Sequence, residues 1–366
     1  MITSNNYTVF GIHSTAERYS WSAYHLFVLL SSLIGDTLIL YASFHKEAFQ
    51  INHFIVTVIQ YISVSDLAVA ITGVLPGPIT LIGNTWELGN AMCYATVYVR
   101  YIFYQAGMSL IAVMTTGKVI LLKYPFRSPI LNKKMAHQAC GIAFIPSLAV
   151  LVCMLVVDRS DVAFDYKNYA CNYEFKADIW QKLLLPIFSI FTMFIPNIVI
   201  VATTIPTLKY LYDAIKSARR AGGSVPWRGT VTVALTAIVY CVSSLPLCIY
   251  YILKDFVDEQ LTSPFQFQYY RISYFVCMIN IMSNFYIYTL TISSFRRFLL
   301  SKILANQSAL SIPSSLLSLP SFLGVSILSI FSQTQGNPID STTQQVSQQH
   351  SRSYIQGPLI TISTVS

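Results

Sequence analysis

Charge is what this chain has least of. Lys, Arg, Asp and Glu together make up 10% of its 366 residues, against about 25% in an ordinary soluble domain. A chain so poor in charge cannot dress itself in a hydrated surface, so a large soluble domain is excluded. Zinc-type Cys/His spacing is also missing, which excludes a metal cluster of that kind. No nucleophile stands beside a base, and nothing supports an enzyme. There is no internal repeat and no matched pair of interrupted half-spans, which weighs against a transporter. The first 24 residues show no basic stretch leading into an apolar core, so the first span itself is expected to direct insertion.

What remains is apolar. Hydrophobic residues make up 54% of the chain, gathered in seven runs at about residues 24–44, 54–78, 91–122, 136–157, 183–208, 230–253 and 272–292. A bilayer core of ~30 Å takes ~20 helical residues to cross, and each run is long enough. The reading is all-α: seven membrane helices with short loops. Lys123, Arg127, Lys133 and Lys134 follow the third run, Lys209, Lys216, Arg219, Arg220 and Arg228 follow the fifth, and Arg296, Arg297 and Lys302 follow the seventh. Acids sit on the opposite side, among them Asp158, Asp161, Asp165, Glu174 and Asp178 after the fourth run. Basic loops stay in the cytoplasm, so the N-terminus is expected outside and the C-terminus inside. Topology accounts for the net charge of +8, and a nucleic-acid partner is not expected.

Several polar residues interrupt the apolar runs. Arg100 and Lys118 lie eighteen positions apart in the third, five turns at about 3.6 residues each, so they share a face. That face cannot point at lipid, and a charge at such depth reads as functional until shown otherwise. Asp36 and Asp66 put carboxylates into the first and second runs, where such a group is costly and reads as functional; the alternative is a protonated carboxyl that packs by hydrogen bond to a neighbouring helix. Pro196, Pro206 and Pro246 interrupt the fifth and sixth, as kinks that are either static or hinges. Asn280, Asn284 and Tyr288 recur on one face of the seventh. Of seven cysteines only Cys93 and Cys171 fall at run edges, on the expected outer side, where a disulfide competes with two unpaired thiols. Asn6 in Asn6-Tyr7-Thr8 is a glycosylation acceptor on that side. The expected organisation is an extracellular segment 1–23, a bundle 24–300 closed by a short amphipathic eighth helix after Phe295, and a Ser/Thr/Gln-rich cytoplasmic tail 301–366, mostly disordered, with an apolar stretch at 316–331.

These residues carry a family resemblance over about residues 24–300. Trp86, Leu88 and Gly89, with Cys93 four residues on, then a span and Pro125 seven residues past Lys118, resemble the third helix of rhodopsin-like G-protein-coupled receptors. Asp66 then matches the second-helix aspartate of that family, and Cys93 with Cys171 its extracellular disulfide pair. Pro196 and Pro246 match its fifth- and sixth-helix prolines. Asn280, Asn284, Tyr288 and Phe295 match its seventh-helix asparagine, its Asn-Pro-x-x-Tyr motif and the start of helix eight.

The chain departs from the family at informative places. Gly117-Lys118-Val119 stands for Asp-Arg-Tyr: the lysine keeps the charge without the planar fork of arginine, and the resting-state carboxylate is gone. The motif proline has become Phe285, the sixth-helix tryptophan Ser244, and the first-helix asparagine Asp36. Asp36 and Asp66 cannot both be ionised in low dielectric. A sodium ion between them, with Asn280 and Asn284 near, fits this polar core, yet Gly107 stands where many sodium-binding members have Ser. Arg100 occupies the place of the amine receptors' aspartate, which disfavours an amine ligand, and Met278 the place of the opsins' lysine, which rules out a retinal Schiff base there.

The resemblance implies a plasma-membrane receptor with no cofactor, whose partners are an extracellular ligand, a heterotrimeric G protein, arrestin through the phosphorylated tail, and the bilayer. Arg100, Tyr104, Gln105, Tyr250, Tyr251, Tyr270 and Tyr274 are expected to form a cationic, aromatic pocket for an anionic or carboxylate-bearing ligand. Against this, Arg100 pairs with a loop acid and the tyrosines form an interfacial belt. Lys118, Ser244, Pro246, Asn284 and Tyr288 are the expected activation switch. The alternatives are a seven-helix scaffold or decoy that does not couple and, further off, a transporter or channel.

Overall fold

A computed structural model describes residues 15–83, 85–124, 129–156, 160–165, 170–175, 190–221, 228–256 and 264–309. Asn6 and the tail stretch 316–331 lie outside these residues, as does the side chain of Tyr251. The chain divides into two units, Met1–Ala305 and Asn306–Ser366, and every contact below lies within the first. Its helices are α1 (Thr15–Ser43), α2 (His53–Val69), α3 (Pro76–Gly83), α4 (Gly89–Lys123), α5 (Lys133–Val156), α6 (Ile195–Ala221), α7 (Arg228–Phe256), α8 (Pro264–Thr291) and α9 (Ser293–Ala309). Strands β1 (Ser160–Asp165) and β2 (Ala170–Phe175) pair as an antiparallel hairpin.

By length and composition six helical stretches can cross a membrane, and the bent pair α8–α9 makes up to seven. The seven spans fall where the apolar runs do. Three boundaries differ most, one of them the start of α8 at Pro264 rather than near residue 272. α1 starts at Thr15 rather than near residue 24, because its first polar turns have a partner: Glu17 pairs with Arg271 of α8 at 2.7 Å, and Trp21 stacks on Phe275. α6 runs on to Ala221, past the apolar run, since a basic helix end needs no lipid to be stable.

Proline sets the irregular turns. Pro76 has no N–H to give, so the chain widens into a π turn, Ala70–Val74, where the Leu75 N–H reaches back to the Ala70 carbonyl at 3.0 Å. The span continues through it into α3. A second π turn, Ile190–Phe194, precedes Pro196 at the start of α6.

Helix α4 is the central post, packed on α2, α5, α6 and α7. Ile59, Ile62, Met108, Leu110, Ile111 and Met114 are fully buried around it. Lipid is as apolar as leucine, so this core is held by close packing and hydrogen bonds rather than by transfer out of water. Exposed Ile142, Val242 and Leu290 are what a lipid-facing surface requires. Close packing depends on glycine at several helix contacts, Gly77 of α3 under the His25 ring of α1 among them. The Phe285 ring of α8 lies on Gly35 of α1, and the Phe54 ring of α2 fills the notch at Gly117 of α4; a Cβ at either glycine would collide with it. After Thr291 the chain turns through 96° into α9, pinned by Phe295, fully buried and stacked on Phe49.

Candidate functional site

At one end of the bundle, the indole N–H of Trp86 donates to the Gly89 carbonyl at 2.9 Å, and Gly89 takes the left-handed backbone (φ 77°) that a side chain would strain. This starts α4 four residues before Cys93. Cys93 and Cys171 are joined by a disulfide, which ties β2 to the top of α4. Val97, Val150, Trp86 and Phe164 pack around the bridge.

Beneath the hairpin lies a cavity between the helices. Its upper wall is Arg100 with Tyr101, Tyr270 and Tyr274; its floor is mainly Val69, Met278, Ile281 and Leu247. The alkyl stem of Arg100 runs across Gly73 in the α2–α3 π turn, 3.2 Å from where a Cβ would stand. Its Nη2 donates to the Cys171 carbonyl at 3.1 Å, and the guanidinium faces the hydroxyls of Tyr270 and Tyr274. Lower down, the Tyr104 hydroxyl and the Cys277 thiol are 2.6 Å apart and satisfy each other.

Of the residues expected to line a pocket, the structure brings together Arg100, Tyr104, Tyr270 and Tyr274. Two others are corrected. Gln105 is buried off the cavity wall, because one residue along a helix is a rotation of about 100° from Tyr104. Tyr250 stands behind the wall, its ring 4.8 Å from that of Tyr270. Gly73, Cys277 and Met193 line the cavity without having been expected to. Gly73 had a signal, a glycine three residues before Pro76; the other two sit in apolar runs with nothing to mark them.

Mid-bundle, a polar core crosses between helices. Asn284 donates to Asp66 at 2.8 Å, and Ser32 donates to Asp36 at 2.7 Å. The two carboxylates are near enough for their charges to act on each other. Asn280 accepts from Ser243 of α7. Ser244 donates to Asn197 of α6 at 3.2 Å, and Asn197 donates in turn to the Met193 carbonyl at 2.9 Å. Asn197 was not foreseen, although a polar residue directly after Pro196 in an apolar run was the available signal. Gly107, buried on α4, has no heavy atom within 4 Å of a Cβ position, which leaves open space there. Among the described residues no group of three or more His, Cys, Asp or Glu side chains could hold a metal.

At the end opposite the disulfide, Lys118 approaches the start of α7, its Nζ 4.0 Å from the Cβ position of Gly229, which Ile51 also approaches at 3.2 Å. Among the described residues it makes no ion pair. Where an acidic neighbour would hold such a cation, Gly117 receives Phe54 instead. Tyr288 is buried nearby, packed edge-on to Phe49. Thr203 of α6 donates to Thr115 of α4, and Thr232 of α7 to Thr291 of α8, each at 2.8 Å.

A family model described as 7 transmembrane receptor (rhodopsin family) matches residues 35–288. That range begins beside Asp36 in α1 and ends at Tyr288 in α8, so it takes in the end of the first span, the second to sixth, and the seventh to within a turn of its end. No curated protein matches the chain.

Proposed function

Because the chain belongs to the rhodopsin family of seven-transmembrane receptors, we propose that it binds an extracellular ligand without a covalent bond and passes the event to a heterotrimeric G protein. Receptors of this family have such ligands and G proteins as partners in general and are generally not enzymes. One observation carries the reading. A single unbroken helix, α4, holds a cation in the cavity at the disulfide end, Arg100, and another at the opposite mouth of the bundle, Lys118.

The disulfide end faces outside in this reading, as loop charge requires, with Asn6 glycosylated there. Ligand binds the Arg100 cavity better in one arrangement of α6, α7 and α8, and that preference shifts the population of the inner face. The bonds that such a shift must exchange join those helices: Ser244 to Asn197, and Ser243 to Asn280. Pro246 gives α7 a place to bend. Lys118 takes the part of the family's arginine toward the G protein, Tyr288 and, in the mid-bundle polar core, Asn284 belong to the same switch, and the tail is the site for arrestin.

The Gly117 notch favours a second reading, a seven-helix receptor that holds ligand but does not couple, since its resting restraint is packing rather than an ion pair. Basal G-protein activation in cells separates the two. Wild type is compared with Lys118→Ala and Lys118→Arg at matched surface expression. Basal signal above empty vector that falls in Lys118→Ala supports coupling through Lys118. Silence in wild type with a gain in Lys118→Arg means an intact coupling surface with a decayed switch. Silence in all three moves the weight to the non-coupling receptor.

A further inference from the structure

The cavity under the hairpin is polar at one level only. All its charge is at the top, in Arg100, with the hydroxyls of Tyr270 and Tyr274 facing the guanidinium. Below that level the wall turns to Val69, Met278, Ile281 and Leu247. Among the described lining residues the hydroxyl and thiol at that level are those of Tyr104 and Cys277, which bond to each other. A ligand group reaching the floor therefore meets mostly apolar side chains among the described residues, and a polar group there costs most of its desolvation.

From this we infer that the ligand is an amphipathic monoanion: one carboxylate at the level of Arg100 and an extended apolar body directed down toward Met278 and Ile281. The inference rests on the receptor reading and adds the ligand's class. Arg100 suits the head because its stem is laid flat over Gly73 and one nitrogen is already anchored by the Cys171 carbonyl. Its fork is thus held in place before ligand arrives, which lowers the ordering cost of binding. Tyr270 and Tyr274 can turn their O–H bonds to donate to a carboxylate. Among the described residues the one charged group lining the cavity is Arg100, which favours an anionic head over an ammonium group. Peptides and nucleotides need polar partners along their whole length, and the described floor residues Val69, Met278, Ile281 and Leu247 are apolar.

The test uses full-length receptor in nanodiscs and reads thermal stability, a signal independent of coupling. Dodecanoate is titrated beside its methyl ester, acetate and dodecanedioate, with Arg100→Gln in identical nanodiscs to remove the effect of partition into lipid. The expected result is stabilisation by dodecanoate alone, with a half-maximal concentration raised about tenfold or more in Arg100→Gln and less in Arg100→Lys. Met278→Ser, in the floor, weakens dodecanoate and narrows its gain over acetate, the short-chain acid of the set. If Arg100→Gln does not fold, Tyr274→Phe and Met278→Ser carry the comparison from the two ends of the cavity. An ester as good as the acid, or a floor variant without effect on chain-length preference, overturns the inference. So does stabilisation by acetate or dodecanedioate equal to that by dodecanoate, and so does no stabilisation by any of the four. In each of these cases the Lys118 measurement still decides the receptor reading on its own.

Discussion

The two ends of this bundle are held by different means. At the disulfide end the anchors are directional: the Cys93–Cys171 bridge, the Arg100 bond to the Cys171 carbonyl, and the Glu17–Arg271 pair. At the Lys118 end, among the described residues, no disulfide or ion pair joins the spans; Phe54 is seated on Gly117 and Phe295 on Phe49, with only neutral hydrogen bonds beside them, the Thr203–Thr115 and Thr232–Thr291 pairs and Gln60 to Ser43. The Phe285 ring on Gly35 belongs to the same kind of joint. Directional anchors fix one geometry, whereas an aromatic ring in a glycine notch resists a clash but allows a helix to slide or roll. A bundle built this way is stiff where it would receive a ligand and yielding where it would have to move.

The sharpest way to break that comparison is to remove the bridge. Cys171→Ala opens a covalent link across a sequence separation of 78 residues. The expected loss is about 2–5 kcal/mol, measured as a lower midpoint in thermal unfolding and as reduced surface expression. A loss well under 1 kcal/mol would show that packing holds this end as well.

Next is the Gly117 notch. Gly117→Asp restores the residue usual in the family, yet its Cβ would run into the Phe54 ring. Overpacking of this kind costs about 1–3 kcal/mol. Phe54→Ala is damaging alone, through the cavity it leaves, but should relieve part of the cost of Gly117→Asp. A double-mutant cycle on thermal stability therefore should show a coupling of about 0.5–3 kcal/mol between the two sites. Additive effects would mean that the ring is not seated on the glycine.

How much of this was legible in sequence follows from what each feature depends on. Spans depend on runs of apolar residues, and Trp86, Gly89 and Cys93 depend on local spacing, so both could be read directly. That Gly117 and Phe285 break the family pattern was visible; what fills or meets them was not. Phe54 lies 63 positions from Gly117 and Gly35 lies 250 from Phe285, and nothing local says which ring reaches which glycine. The cavity was half legible for the same reason. Arg100 marked itself as a charge in a span, but Met193 and Cys277 look like any other apolar residue until the helices are set side by side.

The smallest effect expected is at the far edge of the disulfide end. Glu17 is about two-fifths exposed while Arg271 is mostly buried, and Arg271 also sits over the Trp21 ring, which stacks on Phe275. Water screens the pair, and the arginine keeps its ring contact without the acid. Glu17→Gln should therefore cost no more than about 1 kcal/mol, and most of that should vanish as salt rises. Unfolding midpoints at low and high salt measure it. A salt-insensitive loss above 2 kcal/mol would mean that the start of α1 is fastened by buried charge, and the disulfide would then be one of two strong anchors at that end rather than the principal one.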